Sequence, residues 1–225
     1  MILRRFTQHI KEQNWFAVGL DVVVVIFGVY LGIFIGDAVE RGTEQNEINR
    51  DLASLKTVTT TNIQLATKIV ESQIVIRDSF AEAVSLLLDK QVDEDALITA
   101  MKKLTTIDTP TFYPDTSNYH TLVSSGYLNK VQPIELRYKI THLYEYTLNR
   151  HSDFSKLYDA NIDSIYKDTI SRYWDRNKLQ LLTINQVEKD VFRSKLQGQV
   201  NYTEGYIAFL EDVVIPPMLA LKDSL

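Results

Sequence analysis

The most uniform apolar run of the chain lies near its N-terminus, from Trp15 to Gly36, and reads WFAVGLDVVVVIFGVYLGIFIG. Its single charged residue is Asp21. These 22 residues would form a helix roughly 33 Å long, about the thickness of the hydrocarbon core of a bilayer. The pattern therefore predicts a transmembrane helix over 15–36. The alternatives, a buried helix of a soluble core and a cleaved signal peptide, ordinarily have shorter apolar stretches.

Glycines recur at every fourth position of this run, at Gly28, Gly32 and Gly36. This spacing places them on one stripe of a helix. Lipid provides no hydrophobic drive between helices, so membrane helices associate where small residues let their backbones approach. The stripe therefore predicts a helix-packing face, for a second copy of the chain or for another membrane protein.

Asp21 lies seven residues before Gly28, close to the same stripe. A carboxylate within a bilayer is costly unless it faces a partner or takes up a proton. Two interpretations follow: a structural interhelical carboxylate near the cytoplasmic edge, or a site for protons or ions.

The charges on either side of the span differ in sign. Arg4, Arg5 and Lys11 precede it, whereas the residues just after it are mainly acidic: Asp37, Glu40, Glu44 and Glu47. Because basic flanks stay in the cytoplasm, we expect residues 1–14 to be cytoplasmic and 37–225 to be periplasmic, with the chain in a bacterial inner membrane. Arg4, Arg5 and Trp15 would mark the inner interface.

Beyond the span, the pattern remains helical. Over residues 40–90, apolar positions recur at intervals of three and four, as in a coiled coil or a helical bundle. Polar Thr59, Asn62 and Gln73 interrupt this stripe, and the threonine-rich stretch around them predicts a softer helix. The stripe consists of Ile48, Leu52, Leu55, Thr59, Asn62, Ala66, Ile69, Gln73, Ile76, Phe80, Ala83 and Leu87.

Three further helical regions are predicted. One begins after Asp93, a suitable N-cap. Turn formers then fill 105–133, with a short helix at 118–125 that ends at Gly126. Pro133 begins a helix that continues to about Trp174, and residues 186–223 form the last, bent at Pro216. The predicted fold is all-α: one transmembrane helix followed by an extramembrane antiparallel bundle of long helices.

Composition narrows the possible chemistry. The 225 residues carry a net charge of −5, which disfavours nucleic acid as a partner, and they include no cysteine, which excludes disulfides and thiolate catalysis. None of the four histidines has a metal-ligand spacing, and neither a nucleophile elbow nor a phosphate loop is present. We therefore expect no enzyme activity, no metal and no cofactor.

Tyrosines are concentrated between residues 113 and 173. They are interpreted either as a recognition surface or as half-buried packing residues whose hydroxyls reach water. They are Tyr113, Tyr119, Tyr127, Tyr138, Tyr144, Tyr146, Tyr158, Tyr166 and Tyr173.

Two stretches resemble a family of single-pass bacterial inner-membrane proteins of unknown function. Members share a basic start, Asn-Trp before the span, Leu-Asp early in it and a GV..GI pattern; here these are Arg4, Arg5, Asn14, Trp15, Leu20, Asp21, Gly28, Val29, Gly32 and Ile33. The stretch YHTLVSSGYLNKVQPIELRYKITHLYE, 119–145, is similar to a second block of the family. After the span, where members often carry NW.E, this chain has DAVE. The resemblance implies a topology and no activity.

The favoured hypothesis is a non-enzymatic membrane-anchored helical protein that acts by homo-oligomerisation or as an accessory subunit of a membrane complex. Its partners would be the lipid bilayer and a second copy or another membrane protein. One alternative is an ion-coupled, stator-like subunit in which Asp21 carries the proton. The other is a periplasmic sensor that binds a ligand at the 105–133 loop and its tyrosines.

Overall fold

The computed structural model describes residues 15–88, 93–106, 108–182 and 185–225. These residues are mostly helical, which confirms the expected all-α class. The chain divides into two compact units, Met1–Arg50 and Asp51–Leu225. Helix α1, Trp15–Leu88, has residues in both.

In the first unit, the apolar part of α1 is exposed to the surroundings. An 18-residue window of this helix has a mean hydropathy of 2.4, and 0% of it is buried. The core helix of a soluble protein would be mostly buried instead. By length and composition, α1 can cross a membrane.

Helix α1 continues without a break through the threonine-rich stretch that was predicted to be softer. The hydroxyls of Thr57, Thr60, Thr61 and Thr67 donate to carbonyl oxygens four residues earlier. These hydroxyls therefore do not compete for the backbone N–H groups of the helix.

The next elements follow the predicted caps. Helix α2 is Glu94–Thr106, and Asp93 Oδ1 accepts from the Ala96 N–H at 3.0 Å, as expected of its N-cap. Helix α3 is Ser117–Ser124, followed by a 3₁₀ turn at Tyr127–Lys130. Gly126 between them has a φ of 76°, a left-handed conformation that glycine adopts without strain.

The rest of the described chain is two long helical stretches separated by a short hairpin. The first consists of α4 Ile134–Thr141, a π-helical turn His142–Leu148, α5 Asn149–Ser164, a π-helical turn Ile165–Ile170 and α6 Ser171–Tyr173. Strands β1 Trp174–Asp175 and β2 Gln180–Leu181 pair antiparallel, with Trp174 opposite Leu181. The second helical stretch consists of α7 Gln186–Phe209, a π-helical turn Leu210–Val214 and α8 Ile215–Lys222.

A buried hydrophobic cluster in the second unit joins four parts of the chain. It draws on α1, on α2, on residues 165–174 and on α7. Its buried members are Ile76, Phe80, Ala83, Val84, Leu87, Leu97, Ala100, Met101, Leu104, Ile165, Ile170, Tyr173, Trp174, Phe192, Leu196 and Val200. Helix α1 therefore serves this unit as a core helix along its apolar stripe.

Candidate functional site

The glycine stripe of α1 faces open space within this chain. Gly28, Gly32 and Gly36 all lie in the helix, and a Cβ atom added at any of them would meet no other part of the protein within 4 Å. Packing among the described residues therefore does not require glycine at these three positions.

The remaining residues predicted for the membrane segment are only partly described. Asp21 and Trp15 lie in helix α1, and Trp15 is its first residue. Their side chains, and Arg4 and Arg5 altogether, lie outside the described residues. The two interpretations of Asp21 and the interface assignment therefore stay predictions.

A second candidate site surrounds the connecting segment 108–116, which precedes α3. Asn62 of α1 pairs with the backbone of Asp115 in both directions: its Nδ2 donates to the Asp115 carbonyl oxygen at 2.8 Å, and its Oδ1 accepts from the Asp115 N–H at 2.9 Å. Gln73 Nε2 donates to the Pro110 carbonyl oxygen at 2.6 Å. Asn62 and Gln73, which interrupt the apolar stripe, thus bind the backbone of this segment.

Phe112 is the centre of this site, and its backbone is bound from α5 and α7. The Phe112 N–H donates to Tyr206 Oη at 2.9 Å. The Phe112 carbonyl oxygen lies 3.0 Å from His151 Nε2 and accepts from Ser155 Oγ at 3.1 Å. Phe112, His151, Ser155 and Tyr206 are each 0% exposed.

Burial sets the electrostatics of this cluster. It lowers the pKa of His151 from 6.5 to about 4 and raises the pKa of Tyr206. His151 and the Tyr206 hydroxyl are therefore both neutral near pH 7. His151 Nδ1 is buried and has no hydrogen-bond partner among the described residues.

His151 and Ser155 resemble a histidine–serine pair, with Ser155 Oγ 3.1 Å from His151 Nε2. However, Ser155 donates to the Phe112 carbonyl. Among the described residues, none accepts a hydrogen bond from His151 Nδ1, so the ring lacks the group that orients the histidine of a catalytic triad. The geometry suits holding a backbone carbonyl better than activating a nucleophile. In the described part of the chain, no group of three or more His, Asp or Glu residues is arranged to hold a metal ion.

Several of the clustered tyrosines are buried, and their hydroxyls bond to protein atoms rather than reaching water. Tyr144 Oη lies 3.1 Å from Thr59 Oγ1, and Tyr158 Oη donates to Gln73 Oε1 at 2.6 Å. Tyr119 donates to Glu145 at 2.7 Å. The packing interpretation therefore describes these residues, with polar ends satisfied inside the protein.

The segment expected to hold a ligand is itself bound in place. Two surface grooves of the described chain lie elsewhere, beside α7: one is lined by Asn161, Ser164, Ile165, Thr169, Lys195, Gly198, Gln199 and Tyr202, the other by Val187, Asp190, Val191, Ser194 and Lys195. No residue of 105–133 lines either groove.

Sequence reasoning did not single out the cluster around Phe112, although part of its signal was present. Asn62 and Gln73 occupy positions of the apolar stripe, and a buried polar side chain needs a partner. His151 lies four residues after Thr147, so the two side chains lie on the same side of their helix. The hydrogen-bond partner of each of these side chains depends on how the helices fold back on one another. Local periodicity contains no information about that.

A comparison with protein families gives one match. The model of a family of unknown function, DUF6090, covers residues 21–197, more than half of the chain. This range contains the glycine stripe and the segment 108–116. It confirms the expectation of an uncharacterised family. Searches of curated proteins and of solved structures found no match. The chain therefore belongs to the DUF6090 family, whose function is unknown.

Proposed function

We propose that this protein is a non-enzymatic, single-pass membrane protein that acts by self-association through the glycine stripe of α1. The observation that carries the proposal is the open space at Gly28, Gly32 and Gly36. A glycine in an exposed helix costs roughly 1 kcal/mol relative to alanine. Alanine would fit at all three positions, so packing within the chain does not account for the glycines.

A second membrane helix accounts for them. Three small residues on one stripe let two backbones approach closely, and this contact drives association in lipid. The surrounding side chains are large, apolar and exposed, among them Phe27, Tyr30 and Phe34. They provide the rest of a lipid-facing surface.

The charge pattern supports one orientation in the membrane. Basic residues before the span and acidic residues after it support an N-terminus in the cytoplasm, with 37–225 in the periplasm of a bacterial inner membrane. The association of two copies through α1 then brings two extracytoplasmic domains together.

The extracytoplasmic domain is proposed to be an antiparallel bundle. Two side-chain pairs, Thr59–Tyr144 and Gln73–Tyr158, share one separation of 85 residues, which supports a parallel run of α1 and the 134–173 stretch. In contrast, Tyr173 packs on Phe192 and Phe154 packs on Phe209, which supports an antiparallel run of α7. Helices that alternate in direction form an up-down bundle.

Disulfide crosslinking of the full chain in native membranes tests the proposal. The sequence contains no cysteine, so Val39→Cys gives a single thiol. Val39 lies seven residues after Gly32 on the same helical side and its side chain is 64% exposed. We expect oxidation to yield a covalent dimer. Arg41→Cys, on the opposite side of the helix, is the matched control and should crosslink much less.

The glycine itself is tested on the Val39→Cys background. Gly32→Leu should reduce the crosslinked fraction by about tenfold, equivalent to roughly 1.4 kcal/mol of lost association. Phe34→Leu, which changes the opposite side of the helix, should leave it unchanged. Equal crosslinking of Gly32→Leu and the parent would contradict self-association through the stripe. Loss of a co-purifying membrane protein in Gly32→Leu, with no dimer in the parent, would instead indicate an accessory subunit.

A further inference from the structure

The segment 108–116 is held to the rest of the protein by side chains. In the part of the chain that the structure describes, no main-chain hydrogen bond joins residues 108–115 to another segment. Its backbone groups are bound instead by Asn62 and Gln73 of α1, His151 and Ser155 of α5, and Tyr206 of α7. Of these five side chains only His151 and Tyr206 are titratable, and the raised pKa of Tyr206 leaves His151 as the one that gains a proton on acidification.

We propose that 108–116 is an acid-released strap: neutral His151 holds it against α5 and α7, and protonation of His151 frees it.

The geometry at His151 explains why a proton there is disruptive. Nε2 lies 3.0 Å from the Phe112 carbonyl oxygen, so the neutral ring donates from Nε2 and carries its lone pair on Nδ1. Protonation adds a second N–H at Nδ1, which is buried and has no acceptor among the described residues. A buried donor without an acceptor and a buried unpaired charge are both costly.

Among the described residues, burial and the Phe112 carbonyl act on the pKa of the ring, and no carboxylate compensates a positive charge there. The rings of Phe112, Tyr206 and Phe209 lie with centroids 5.1, 5.9 and 5.8 Å from that of His151. The Arg150 guanidinium lies over the Phe209 ring at 5.9 Å. From α1, the side chains that bind the strap, Asn62 and Gln73, are uncharged.

Asp159 is a second titratable group that binds the strap. It accepts from Thr111 Oγ1 at 2.9 Å and from Tyr113 Oη at 2.6 Å. Because this carboxylate also binds the strap, the test must separate its contribution from that of His151.

The direction of the pH effect follows from the lowered pKa of His151, about 4 in the folded protein against an ordinary 6.5. When the strap is released, the pKa of His151 returns to its ordinary value. The free energy that holds the strap closed is therefore fully present above about pH 6.5 and decreases as the pH falls toward 4.

Amide hydrogen exchange of the full chain in detergent micelles tests the proposal, with rates corrected for the chemical effect of pH. The reporters are the amides of Phe112 and Asp115, which donate to Tyr206 and Asn62. We expect their protection to fall about tenfold between pH 7.5 and 5.5 and by up to about a hundredfold at pH 4.5. The amide of Leu196, within α7, should keep its protection.

Variants identify the responsible group. His151→Gln can still donate to the Phe112 carbonyl but does not titrate, so its strap should stay protected at pH 4.5. Asp159→Asn should still lose protection on acidification. Undiminished protection of the parent strap at pH 4.5, or an unchanged loss in His151→Gln, would overturn the proposal.

A second measurement needs no variant. The midpoint of the His151 titration, followed by the NMR shift of its ring Cε1–H, should coincide with the pH below which strap protection stops falling in the unaltered protein. A clear difference between these two pH values would contradict the assignment to His151 even if His151→Gln did not fold.

Discussion

At the scale of single residues, the second unit is notable for polar side chains buried inside a helical domain. Thr59, Asn62 and Gln73 occupy three positions of the apolar stripe of α1 and are 1%, 2% and 0% exposed. Each binds a group from a distant part of the chain: Tyr144, Asp115 or Tyr158. These residues fix which segment lies against α1, a specificity that apolar residues alone do not provide.

Asn62→Ala tests this role. The substitution leaves the N–H and carbonyl of Asp115 without their partner, so we expect a loss of about 1–3 kcal/mol in the free energy of unfolding. Urea unfolding of the full chain in detergent, followed by circular dichroism, measures it. Thr61→Ala, one position away on the exposed side, should change stability by no more than about 0.5 kcal/mol. Equal losses in the two variants would show that the Asn62 contact contributes nothing specific.

Individual residues illustrate how far the sequence is informative. The Asp93 cap and the glycine stop at Gly126 were predictable because caps and left-handed positions are local features. The partner of His151 was not, because the Phe112 carbonyl lies 39 positions away in sequence. Where a buried polar group finds its acceptor depends on how the helices return on one another.

At the scale of elements, polar pairs connect α1 to the 134–173 stretch at two levels. Thr59–Tyr144 and Gln73–Tyr158 are 14 residues apart along both helices, as the equal separations of 85 require. Fourteen residues are about four helical turns, so both pairs lie on one side of each helix.

The existence and approximate bounds of these helices were predictable from periodicity. Their π-helical turns were not, since one extra residue in a turn leaves no clear sequence signal.

A double-mutant cycle on Gln73 and Tyr158 measures the link between these helices. Gln73→Met and Tyr158→Phe keep the side-chain volume. Tyr158→Phe leaves Gln73 Oε1 without its donor, and Gln73→Met leaves the Pro110 carbonyl without its donor while Tyr158 retains Thr203. Each single change is expected to cost about 1–3 kcal/mol. The double variant removes both groups, so its loss should be smaller than the sum by about 1 kcal/mol. The measurement is again urea unfolding of the full chain. Gln73→Met combined with Tyr119→Phe, whose hydroxyl binds Glu145, should be additive.

At the scale of the whole molecule, the proposed topology follows from an apolar span with oppositely charged flanks. The absence of native cysteine makes single thiols unambiguous reporters of sidedness. Ser117, the first residue of α3, is exposed and suits this purpose.

An impermeant thiol reagent applied to intact cells should therefore leave Thr7→Cys unlabelled. It should label Ser117→Cys once the outer barrier is permeabilised, because the positive-inside rule retains the N-terminus in the cytoplasm. Labelling of both after lysis is the control for reactivity. The reverse pattern in intact cells would invert the topology, and protection of Ser117→Cys after lysis would indicate that an assembly covers α3.

The hydrogen bond from Phe112 to Tyr206 also constrains how the protein folds during synthesis. Its two residues are 94 positions apart, so at roughly 5–20 residues per second the ribosome needs about 5–20 s to make the second after the first. During that interval Asn62 and Gln73 have already been made, whereas α7 does not yet exist. Contacts of such long sequence separation form late because the intervening loop must first be closed. We therefore expect the backbone of 108–116 to be only half bound in the nascent chain until α7 emerges from the ribosome and the domain closes as a unit.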